Sequence, residues 1–197
     1  MTLVIALISL LVLSALGTSL ALVAHTDLRV AANYAASRQT MYAADGALEI
    51  AARELLAVSD WNALLSSGAL SAFVDGPPSG SRQLGDGTSV DLGQATTVAN
   101  SEPRPWGPNN PVWRLYAFGW LGSKTYVIVW AGDDSAEDDG DPLNDGGGVG
   151  NPGTGILALR AEAFGTGGAH KVLEATVGGH PTGPSPEIRL LSWKEIR

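Results

Sequence analysis

The chain has no cysteine, no proline before Pro77 and no charged side chain among its first twenty-four residues. Each absence excludes something. Without cysteine there is no disulfide framework, no thiol nucleophile and no thiolate metal site, although a secreted domain of this size needs no disulfide, so the compartment stays open. Basic residues are also few: 12 Lys and Arg stand against 20 Asp and Glu, for a net charge of −8. They are scattered, and none precedes Arg29. No basic patch can follow a phosphate backbone, which argues against nucleic acid as a partner. His25, His170 and His180 lie far apart, and neither an H-E-x-x-H nor a G-x-S-x-G motif occurs. The sequence therefore offers no catalytic constellation and reads as a non-enzyme.

What is present begins at the N-terminus. Residues 1–24, MTLVIALISLLVLSALGTSLALVA, are uncharged throughout. A run of this length exceeds the ~20 residues that span hydrocarbon as a helix, and at ~1.5 Å per residue it is about 36 Å long. A secretory signal peptide is the rival reading. It predicts basic residues ahead of a shorter apolar core, and the run lacks both features. The following stretch, His25 to Val58, stays helix-friendly, with Met41, Ala44, Leu48, Ala51, Ala52 and Leu55 recurring on one face. Asp27, Arg29, Arg38, Arg53 and Glu54 supply polar positions. The pattern predicts one helix over residues 1–57, on the order of 85 Å long, apolar all round in its first half and amphipathic in its second. Such a helix cannot fold back into a small domain, so its first half must lie in lipid or be buried by neighbouring copies. Ser14 to Ser19, with Gly17 among them, is its softest part. Gly costs about 1 kcal/mol against Ala in a helix interior, and Ser and Thr offer competing hydrogen bonds. This segment is either a small-residue packing face or a place where the helix unwinds.

An uncharged N-terminal run that continues into an amphipathic helix resembles the mature type IV pilins, and PilX-type pilins in particular. Their Ala-Glu-x-Gly-Leu-Glu stretch is matched here by Ala44-Asp45-Gly46-Ala47-Leu48-Glu49, with Asp for Glu. The resemblance implies a chain that begins at a prepilin-peptidase cut and is anchored in the inner membrane before assembly. It then joins identical or related subunits in an extracellular filament at the cell surface. The residues implied in assembly are Met1, Ile5, Leu10, Leu13 and Gly17. One departure stands out. Most pilins carry Glu at the fifth mature position, thought to pair with a neighbour's terminal amine, and this chain has Ile5. Within the family that loss goes with subunits at filament tips. A minor or tip pilin, a pseudopilin of a secretion system, and a single-span membrane-anchored binding module therefore stand as alternatives to a major filament subunit.

Residues 58–197 read as a globular head. Residues 59–111 are expected to be loop, with Asp86-Gly87 turning a hairpin and Pro-rich 101–111 unsuited to helix or inner strand. Strands are expected at 112–120, 124–132, 156–164 and 170–177, with a fifth at 187–196. Four or five antiparallel strands need a cover for their apolar face, and the amphipathic half-helix has one. The expected fold class is α+β: a long N-terminal helix packed on a four- to five-stranded antiparallel sheet. The six tryptophans, among them Trp106, Trp113, Trp120 and Trp130, are read as sheet core rather than as a sugar platform.

One segment has a chemistry of its own. Residues 133–147, DDSAEDDGDPLNDGG, hold seven carboxylates and no base. A loop this acidic is either solvated or held by a cation. Ca²⁺ takes six to eight oxygens and is wrapped by turns rich in Asp, Asn and Gly. The loop is not an EF-hand: with Gly140 at the loop glycine, Ser135 takes the first ligand position and Gly146 the place of the bidentate Glu. The candidate Ca²⁺ ligands are Asp133, Glu137, Asp139, Asp141 and Asp145. The G-x-G-x-x-G match at residues 148–153 follows an acidic loop and precedes a strand. It has neither the preceding strand nor the following helix of a dinucleotide site, so no nucleotide is expected.

Overall fold

The computed structural model describes residues 1–137, 140–146, 155–180 and 187–196. The first element is one helix, α1, Thr2–Leu55, followed by a short α2, Trp61–Ser67. A small hairpin of β1, Ser81–Gln83, and β2, Ser89–Asp91, leads into α3, Leu92–Ser101. Five strands follow: β3 Arg114–Leu121, β4 Thr125–Asp133, β5 Ile156–Phe164, β6 His170–His180 and β7 Glu187–Ile196. They form one antiparallel meander in the order β3-β4-β5-β6-β7. The chain divides into two compact units, Met1–Ala36 and Ser37–Arg197.

Within the second unit, α1 buries Thr40, Ala43, Ala44, Ala47, Leu48, Ala51 and Leu55. These positions fall on one helical face. Most are alanine, which lets the helix backbone lie close to the sheet. They pack with Ala117, Val127, Val129, Leu157, Leu159, Ala161 and Leu173, the residues of β3 to β6 that point to the same side. Full burial of a side chain such as Leu48 or Leu55 stabilises the fold by about 1.5–3 kcal/mol. The Ala44–Glu49 stretch has a visible task here. Ala44, Ala47 and Leu48 enter the core, and Asp45 Oδ1 accepts a 2.9 Å bond from Trp193 Nε1 of β7. A Cβ on Gly46 would lie 3.3 Å from Leu121 Cδ2.

The second face of the sheet has a cover that the sequence pattern concealed. Residues 92–101 were expected to be loop, yet they form α3, N-capped by Asp91, whose carboxylate accepts from Gln94 N at 2.9 Å. Gly93, Thr96, Thr97 and Val98 are weak helix formers, and tertiary burial of Leu92 and Ala99 outweighs that weakness. α3 packs over Trp113, Phe118, Tyr126, Ile128 and Trp130, and Thr96 Oγ1 accepts from Trp130 Nε1 at 2.9 Å. Residues 61–67 depart from the loop reading in the same way, between the Asp60 cap and Gly68 in the left-handed region. The Asp86-Gly87 hairpin forms as expected, as do five strands within three residues of their expected ends.

Beside α3 the same face is ionic. Arg160 is 2% exposed, and Glu102 grips it with two 2.7 Å bonds; Glu162 and Glu174 lie at 2.9 and 3.1 Å. Arg104 and Lys194 also pair with Glu174, and His170 with Glu162. Burial pushes the Glu162 and Glu174 carboxyls up, but hydrogen bonds from His170 and Arg160, and from Arg104 and Lys194, outweigh it and hold both below the usual range. The network ties the segment after α3 to β5, β6 and β7.

The β5–β6 turn shows how tight the helix–sheet contact is. A methyl on Gly165 would overlap the buried Thr40 Oγ1 of α1. Gly165→Ala is expected to destabilise the head by about 1–3 kcal/mol, since an overpacked site must push its neighbours aside. Thermal or urea unfolding of the full chain in detergent, followed by tryptophan fluorescence, measures this.

Candidate functional sites: an apolar helix and a buried acidic cluster

Residues 1–35, in α1 from Thr2 onward, are all exposed among the described residues. Leu10 is 71% exposed, Leu13 69% and Ile5 62%. No other helix among the described residues is long and apolar enough to cross a membrane. Its backbone is satisfied internally, as hydrocarbon requires, and its side chains up to Ala24 carry no charge. Met1 and Gly17 are exposed with the rest, so all five assembly candidates are exposed among the described residues. The soft segment stays helical: Thr18 Oγ1 and Ser19 Oγ return to the carbonyls of Ser14 and Ala15 at 2.6 and 2.9 Å. The terminal amine has no carboxylate on α1 nearer in sequence than Asp27.

The second site lies at the end of β4. Asp133 closes that strand, Glu137 follows in the next turn, and the carboxylate of Asp145, from the acidic loop, meets the backbone at the start of β5. Carboxylate oxygens of the three lie within 4.8 Å of one another. Their residues are 4%, 1% and 8% exposed. Asp145 is fixed from two sides. Its backbone N donates to Asn62 Oδ1 of α2 at 2.5 Å, and its carboxylate accepts from Gly155 N at 3.0 and 3.1 Å and from Ile156 N at 3.3 Å. Burial pushes its carboxyl up to about 6; the bonds from Gly155 and Ile156 pull it down, and the Glu137 charge adds to the rise. Carboxylates this close and this dry raise one another's cost of ionisation.

The structure sorts the five ligand candidates. Asp133, Glu137 and Asp145 come together. Asp141 is exposed and accepts from Leu143 N at 3.3 Å, a local turn contact, and it does not join the cluster. Asp139 lies outside the described residues, as does the 148–153 glycine motif. Of the tryptophans, Trp61, Trp113 and Trp130 are core, whereas Trp106, Trp120 and Trp193 are 49%, 39% and 41% exposed, which corrects the reading of all six as core. The Arg160 network was not foreseen; the Arg160 and Glu162 alternation on β5 was its one visible sign.

Residues 1–49 match the PilX N-terminal family model. No curated protein and no solved structure matches the chain. The match covers the apolar run and the Ala44–Glu49 stretch, so the resemblance to PilX-like pilins is shown over the N-terminal quarter of the chain.

The acidic cluster sets a pH dependence. Asp145 has a folded-state pKa of about 6, above its ordinary 3.8, so the folded state binds the proton more tightly than the unfolded state does. Its penalty is present in full above pH 6 and is relieved as pH falls toward 3.8. With divalent cations chelated, the unfolding midpoint of the full chain is expected to rise from pH 7 to pH 5, by roughly 1–3 kcal/mol in free energy. Asp145→Asn is expected to flatten that rise. A wild-type midpoint that falls over the same interval contradicts the assignment.

Proposed function

We propose that this chain is a structural subunit of an extracellular type IV pilus-like filament, assembled through the apolar half of α1. One observation carries the reading: an uncharged helical surface from Thr2 to Ala24, uncovered by any described residue, in the segment that resembles PilX-like pilins. Before assembly this surface resides in the inner membrane. On assembly it exchanges lipid for the same surface of identical or related subunits, through apolar contacts at Leu10, Leu13 and their neighbours. Gly17 and the hydroxyl residues around it give the helix a place to bend or unwind during that transfer. The role is architectural rather than enzymatic.

Ile5 favours a second reading, a minor or tip pilin or a pseudopilin. A subunit without a carboxylate at this depth offers no partner to a neighbour's terminal amine. It also escapes the cost of burying an unpaired carboxylate in an apolar bundle.

In the head, the cluster of Asp133, Glu137 and Asp145 holds Ca²⁺. Carboxylate oxygens are hard ligands, and the surrounding turns supply backbone carbonyls to complete the shell. The ion relieves the mutual repulsion that burial imposes. It pins the acidic loop to the end of β4 and, through Asn62, to α2.

Leu13→Asp is expected to abolish filaments while the chain still accumulates in the membrane, because a charge at mid-helix costs roughly 2.5–3.5 kcal/mol in hydrocarbon. Persistent filaments sink the apolar-packing mechanism. Quantitative mass spectrometry of sheared filaments separates the two roles: bulk protein means a major subunit, and a trace amount a minor or tip one. Complete absence from filaments leaves a membrane-anchored binding module. For the metal, Ca²⁺ at neutral pH is expected to raise the unfolding midpoint of the full chain, by about 2.7 kcal/mol at a hundredfold excess over Kd. Glu137→Gln is expected to remove that increment, and an equal increment in wild type and variant rejects the site.

A further inference from the structure

We draw no further inference here: the strongest candidate, the groove of about 380 Å³ between α1 and β7, lined by Leu48, Ala52 and Trp193 as well as by Asp45, Glu49 and Arg53, carries nothing because nothing in the structure shows what covers it.

Discussion

The uncharged surface of α1 must leave water, and the other features of the chain follow from that requirement. Twenty-four residues without a charge form a helix whose backbone needs no partner but whose side chains need a cover. No described residue supplies one for the first 35 residues. Lipid and neighbouring apolar helices are the two environments that do, and both are nearly equivalent for leucine and isoleucine.

From Thr40 onward the same helix obeys a different rule. Small residues replace large ones on the inner face, and the sheet lies close enough that Gly165 and Gly46 leave little room for a methyl. The Ala44–Glu49 stretch is where this change of task is concentrated. It places Ala44, Ala47 and Leu48 in the core and gives Trp193 a hydrogen-bond acceptor in Asp45. Those contacts join the N-terminal helix to the last strand of the head. Buried charge in the head is handled in two ways. Around Arg160, opposite charges neutralise one another with direct hydrogen bonds. At Asp133, Glu137 and Asp145 three buried carboxylates are gathered, and burial pushes the Asp145 carboxyl up to about 6.

Much of this was legible in the residues. The apolar run, its amphipathic continuation, the meander and the Asp86-Gly87 turn all follow from local periodicity and turn chemistry. α2 and α3 were harder to read. Each is short and poor in strong helix formers, and each exists because it covers part of the sheet. Their aspartate caps, Asp60 and Asp91, were the available signs. The tryptophans show the same limit, since composition places them in a core but register decides which three of the six reach it.

The sequence by itself determined the element types and the chemistry on offer: a helix that requires an apolar environment, strands that require a cover, and a loop too acidic to stand without solvent or a cation. These are short-range properties, set by the 3.6- and 2-residue periods and by charge density. Only the tertiary structure decided which carboxylates meet, because Asp133 and Asp145 are brought together by the return of the chain to β5, while Asp141 turns outward to cap its own loop. The structure also decided that the β3 edge of the sheet is covered by residues 71–74, while no described segment pairs with the outer side of β7. Both outcomes depend on contacts between residues far apart in the chain, and no local period encodes those.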